Sequence, residues 1–312
     1  MLSTISNYPN GFGNGVTVRN MPILNAYPNK LFWVHSGTGS DGNAGTFDRP
    51  FSTIDYAIGR CTASRGDIIY VKAGHTETVA AAAGIAVDVI GVSIIGLGNG
   101  ALRPTLNLTA TASTITLSAA SCLLQNLLIT GGVDAVVSHT VVSAADCAII
   151  DCEYRDVTGQ CTDGILTTAG ATRLLIKNYR HDGATAAGTN AGIAIVGGDG
   201  IVIDGLRMDG DFAVGGIDVR TTATTDLEVR NVVFRTRNIV DVFMIDTITG
   251  STGVIGPNIY LRLQDNAANF AAAIGGATFV YHNPISIVNL AGEIGGIDTT
   301  AAAGFKTLST NA

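Results

Sequence analysis

A chain of 312 residues, 46% of them apolar and only 14% charged, can bury a large core and lacks the charge density of a disordered segment. Its net charge of −7 offers no basic field for a phosphate backbone, so nucleic acid is not expected as a partner. No run of 18 apolar residues occurs, and residues 1–30 carry Asn, Gly and Pro in place of a charged start and an apolar core; neither a membrane span nor an export signal is predicted.

Residues 1–30 are punctuated by Asn7, Pro9, Gly11, Gly13, Gly15, Pro22, Pro28 and Asn29, too often for long regular elements, and are read as an arm or attachment segment. Residues 31–84 form a predicted N-terminal cap. Within it a strand ends near His35, a Gly/Ser/Asp/Asn loop follows, Ser52 is placed to cap a short helix from Thr53 to about Arg60, and GDIIYVKAGHTETV (66–79) returns to strand alternation. The helix would bury Ile54, Ala57 and Ile58.

From about Ser121 to Leu261 one pattern recurs: apolar, any, apolar, any, then Asn, Gly or Cys, and the β-helix it belongs to is read as residues 85–290. Its last position falls at Asn126, Cys152, Asn178, Gly205, Asn231 and Asn258, in steps of 26, 26, 27, 26 and 27 residues. A repeat near 26 with strand alternation inside it predicts a solenoid of stacked rungs, an all-β single-stranded parallel β-helix. A second apolar series, Ile165, Ile193, Ile217 and Phe243, keeps the same mean period. Asn and Gly tolerate the left-handed backbone of a sharp bend, so Asn126, Asn178, Asn231 and Asn258 are read as a structural ladder. The inward pairs are expected at Cys122/Leu124, Ala148/Ile150, Leu174/Ile176, Ile201/Ile203, Leu227/Val229 and Val254/Gly256. Residues 291–312, rich in Gly, Ala and Thr, are assigned to a C-terminal cap or inter-chain contact.

The segment "SGTGSDGNAGT…RPFSTIDYAI" followed by "GDIIYVKAG" resembles the opening of right-handed parallel β-helix proteins of the pectate-lyase-like superfamily, and is most similar to those encoded by tailed bacteriophages. The resemblance covers about Leu31 to Gly74 and, through the rung pattern, extends to about Leu290. It implies the fold, and a choice between structural virion proteins, adhesins, lyases and hydrolases.

The outward position before each pattern end reads Gln125, Asp151, Lys177, Asp204, Arg230 and Pro257, a ladder of alternating charge. Asp151 and Asp204 would lie about 9–10 Å apart from the strand spacing, near the limit for an inverting glycosidase pair. Lys177 between them favours ionised carboxylates and works against a general acid, so salt bridges are the preferred reading. Asp209 and Asp211 complete the acids for an enzymatic alternative; Asp204, Asp209, Asp211 and Asp218 lack the remaining ligands of any recognised calcium loop. His139, His181 and His282 are isolated in sequence. Cys61, Cys122, Cys147, Cys152 and Cys161 show no CxxC spacing, so neither a disulfide framework nor a zinc site is indicated; no cofactor is expected, and the chain is read as made in a reducing cytoplasm.

The position three before each pattern end, Leu123, Ile149, Leu175, Val202, Glu228 and Ile255, is large and aliphatic in five of six rungs and is predicted to face outward. An apolar stripe of that kind marks an interface, and phage β-helix proteins typically form threefold bundles. The reading is a non-enzymatic homotrimeric virion protein, a head decoration or cement protein bound to the capsid through the arm or base loops. The alternatives are a tailspike-type receptor-binding protein, lyase or hydrolase acting on a host glycan and, more weakly, a surface adhesin.

Overall fold

The computed structural model describes residues 16–18, 21–23, 30–157, 159, 161–186, 188–237, 245–262, 274 and 278–288. Val16–Val18 and Met21–Ile23 pair as a small antiparallel ribbon; all other strand pairs among the described residues are parallel and build three sheets of ten, nine and seven strands. The chain visits the sheets in fixed rotation. Ile68–Val71 lies in the first, Thr76–Val79 in the second and Ile85–Val87 in the third, after which Ser93–Gly96 returns to the first. Seven such three-strand turns follow one another, and the first and second sheets continue to Thr278–Tyr281 and Ile285–Val288. The protein is a parallel β-solenoid.

The core is a set of stacked files. In the first sheet Ile69, Ile94, Leu124, Ile149, Ile176, Ile203, Val229 and Ile255 are in register and buried. In the third, Ile115, Thr140, Ile165, Ile193, Ile217 and Ile245 form the matching file. Ile245 takes the place expected of Phe243, which lies outside the described residues. Each fully buried aliphatic contributes about 1.5–3 kcal/mol, so the repeat stabilises through many equal increments.

The register corrects the sequence reading at two turns. The residue equivalent to Asn126 and Asn178 is Asp151, not Cys152: Asp151 has φ 56°, as Asn126 has 55° and Asn178 has 51°. The frame therefore shifts by one. Ile149 and Ile255 are 3% and 0% exposed and point into the core, so they cannot belong to an outer stripe; Ala148 and Val254 hold those outward places. Ile150, expected inside, faces outward in the file of Gln125, Lys177, Asp204 and Arg230.

At the corners, Gly205, Asn231 and Asn258 continue the positive φ values at 80°, 55° and 62°. Asn178 Nδ2 donates to Asp151 Oδ1 at 2.9 Å, Asn231 Nδ2 to Asp204 Oδ1 at 2.6 Å, and Asn258 Nδ2 to Asn231 Oδ1 at 2.8 Å. The column ties each turn to the previous one.

The first sheet begins at Leu31–Val34, ahead of residue 85 where the sequence pattern becomes regular. A short α-helix, α1 (Ile54–Ile58), buries Ile54, Ala57 and Ile58 against this end. Its N-cap is Thr53 instead of Ser52: the Thr53 hydroxyl accepts from the Tyr56 N–H, and Asp41 Oδ1 accepts from the N–H groups of both Ser52, at 2.9 Å, and Thr53, at 3.3 Å. Buried Glu77 accepts from the Ile54 N–H at 2.9 Å and contacts His75 Nε2 at 3.0 Å, satisfying an orphan donor of the helix start. Among the described residues no helix is long and apolar enough to cross a membrane.

Candidate functional site

The acids singled out in the sequence do not converge. Asp151 sits at a corner, accepting from Asn178 and, at 3.4 Å, from Gln125 Nε2. Asp204 lies on the outer face of the first sheet, two turns further on, 3.1 Å from Arg230 Nε. Partial burial works to raise its pKa, but the hydrogen bonds of Asn231 and Arg230 more than offset this and hold it below the ordinary carboxylate range. Asp209 is on the second sheet, gripped by Arg235 and by Arg237 Nε at 2.8 Å; there too burial is outweighed by the two guanidinium groups and the pKa is lowered. Asp211 follows Asp209 beyond the end of the same strand, and Asp218 belongs to the third sheet. Carboxylates locked in the ionised state cannot donate a proton to a leaving group.

Two clusters were invisible in the sequence. His139, Tyr154, Tyr179, His181, Phe212 and Phe234 form an aromatic stack inside the solenoid, with His139 and Tyr154 ring centres 4.3 Å apart and His181 and Phe212 5.0 Å apart. His139 Nε2 meets the Tyr179 hydroxyl at 3.0 Å, while neither ring nitrogen of His181 has a hydrogen-bond partner among the described residues. Burial lowers both imidazole pKa values, that of His181 to about 3. The second cluster joins Asp163 and Asp218 through one guanidinium, Arg220, with Asp246 in register beside Asp218. Burial raises all three carboxyl pKa values. At 2% and 3% exposure Asp163 and Asp218 are shut away from any polymer substrate.

A groove of about 400 Å³ lies open to solvent on the outer face of the second sheet. One outward file runs Arg180, Arg207, Val233, Tyr260, Ser286 and the next runs Arg155, Asp182, Asp209, Arg235, Arg262. Beneath them Met208, Phe234 and Leu261 form the buried floor. Val233 and Tyr260 are 45% and 47% exposed, a sizeable apolar surface between cations. These arginines stand 27 and 28 residues apart and meet only through the strand register. Reading the positions two and four after each corner residue at the solenoid period would have found them.

No protein-family description and no curated protein matches this chain. Among solved structures, a rhamnogalacturonan lyase is 13% identical over 90% of each chain with a TM-score of 0.48, a likeness in the course of the backbone from which no activity is carried over.

Proposed function

We propose that this chain is a non-enzymatic structural protein of a bacteriophage particle, a homotrimer of parallel β-solenoids that decorates or cements the capsid. The observation that carries the reading is the outer face of the first sheet. One file there reads Leu31, Ile68, Ser93, Leu123, Ala148, Leu175 and Val202; the adjacent file begins Trp33, Tyr70, Ile95, Gln125 and Ile150. Trp33 packs on Tyr70 at 5.0 Å and on Phe47 at 4.9 Å, which gives the lower end an aromatic edge. A monomer gains about 25 cal/mol for each Å² of such surface it removes from water. A parallel copy removes it rung against rung, because both partners share one repeat. The face turns polar at Lys177, Asp204, Glu228 and Arg230, where Arg230 pairs with both acids.

The outward members of the predicted stripe, Leu123, Leu175 and Val202, remain in this proposal; buried Ile149 and Ile255 do not. Residues 1–30, proposed to contact the capsid, fall almost wholly outside the described residues. The lowered pKa values of Asp204 and Asp209 argue against either as a general acid. Mass spectrometry of separated heads and tails tests the location: high copy number with heads is expected, and absence from both would overturn the virion reading.

A second reading, a tailspike-type protein that binds a host glycan, is favoured by the arginine-lined groove. Glycan binding without turnover is its expected signature, and release of reducing ends or unsaturated sugars lost in Asp204→Ala would establish the enzymatic alternative instead.

A further inference from the structure

We infer that the groove on the second sheet is a binding site for a glycan carrying tetrahedral oxyanions, phosphate or sulfate, with Arg207, Arg235 and Arg262 as anion ligands and Tyr260 as the surface for a sugar ring. The charge balance points there first. Along these files Arg155, Arg180, Arg207, Arg235 and Arg262 outnumber Glu153, Asp182 and Asp209, and Arg237 stands beside them, a local excess of cations in a chain of net charge −7. Asp182 takes Arg180 at 3.5 Å, and Asp209 takes Arg235 and Arg237. Arg207 and Arg262 make no ion pair among the described residues, and both are exposed. Gathering like charges on one face costs free energy in the empty protein, and an anion relieves it.

The geometry narrows the anion. Arg235 and Arg262 are register neighbours on successive turns, about 4.8 Å apart at the backbone, and Arg207 stands in the adjoining file one turn before Arg235. A carboxylate offers two oxygens in one plane, which a single guanidinium satisfies through its fork. A phosphate or sulfate monoester offers three oxygens in separate directions and matches guanidinium groups arriving from different turns. A phosphodiester has lost one of those oxygens, and the overall negative charge of the chain repels the dense charge lattice of a duplex. The half-exposed Tyr260 ring, on the same face and two residues from Arg262, supplies an apolar surface to the C–H side of a pyranose. A substituted glycan chain lying along the files meets arginines at each rung.

This inference goes beyond the structural reading, and the groove lies on a different sheet from the proposed trimer face, so either can fail without the other. The test is calorimetric titration of the full chain with dextran sulfate and phosphorylated dextran, against neutral dextran, polygalacturonate and a DNA duplex at matched charge concentration, at low and at high salt. Binding to the first two is expected, weakening with salt and falling about tenfold or more in Arg207→Ala/Arg262→Ala. Tyr260→Ala should weaken binding without changing the salt dependence. The charge-matched control Arg49→Ala/Arg60→Ala, at the far end, should bind as the parent does. Equal loss in that control, equal binding of neutral dextran or duplex, or no binding to any polyanion at low salt would overturn the site. Equal affinity for polygalacturonate would overturn the assignment to tetrahedral oxyanions.

Discussion

At the corner between the first and second sheets a side chain does two things. Asn178 holds φ 51° and its amide reaches back to Asp151. Asn178→Ala keeps the chain but loses both the tolerance of left-handed backbone, about 1–2 kcal/mol, and the hydrogen bond, about 1 kcal/mol. Urea denaturation should show about 2–3 kcal/mol lost, and Asn178→Gly should cost clearly less because glycine meets the backbone demand. Titration is the other property seen at this scale. His139 and His181 have depressed folded pKa values, so below the unfolded value near 6.5 the unfolded chain binds protons that the folded chain does not. Their stabilisation is present above about pH 6.5 and is lost as pH falls, by up to about 1.4 kcal/mol per pH unit for each. The raised pKa values of Asp156, Asp163, Asp218 and Asp246 act the other way, since the folded chain then holds protons that the unfolded chain has released. Their opposing contribution grows as pH falls, so the part owed to a histidine is read as the difference between the parent and a variant that lacks it. Between pH 7 and 5.5 His181→Phe should reduce the slope of stability against pH, His139 and His35 supplying the part that remains, and an unchanged slope would show that His181 is protonated in the folded protein.

Among the strands, exposure separates variants that look alike in sequence. Ile193 and Ile149 are interior, and Ile193→Ala should cost about 2–5 kcal/mol through lost transfer energy and a cavity. Ile149→Asp should fail to fold, whereas Leu175→Asp, on the outer file, should still give a folded chain, with its thermal midpoint lowered only by what assembly contributes. The period was legible because alternation and a left-handed corner recur every 25 to 27 residues. The frame was not legible where Asp151 takes the corner and Cys152 starts the next strand, nor where Pro257 adds a residue before Asn258, since the spacing of apolar residues alone accommodates either register. The groove was hidden for a related reason. Arg207, Arg235 and Arg262 become neighbours only once the register is known, whereas Asp209-Gly-Asp211 catches the eye as a motif although Asp209 is a strand residue held by Arg235 and Arg237.

For the whole molecule, a solenoid of equal turns is stiff along its axis and repeats its surface as faithfully as its core. An apolar file on one face therefore extends over several turns, from Leu123 to Val202, and a second copy in the same orientation would meet it rung against rung. Central to the account is that this face is closed by copies of the same chain, and sedimentation equilibrium of the purified protein tests it most directly. The account predicts a single species of three 32.0 kDa chains, and folded monomers for Leu175→Asp/Val202→Asp. A parent protein that sediments as one 32.0 kDa chain, or a double variant that remains trimeric, would contradict it.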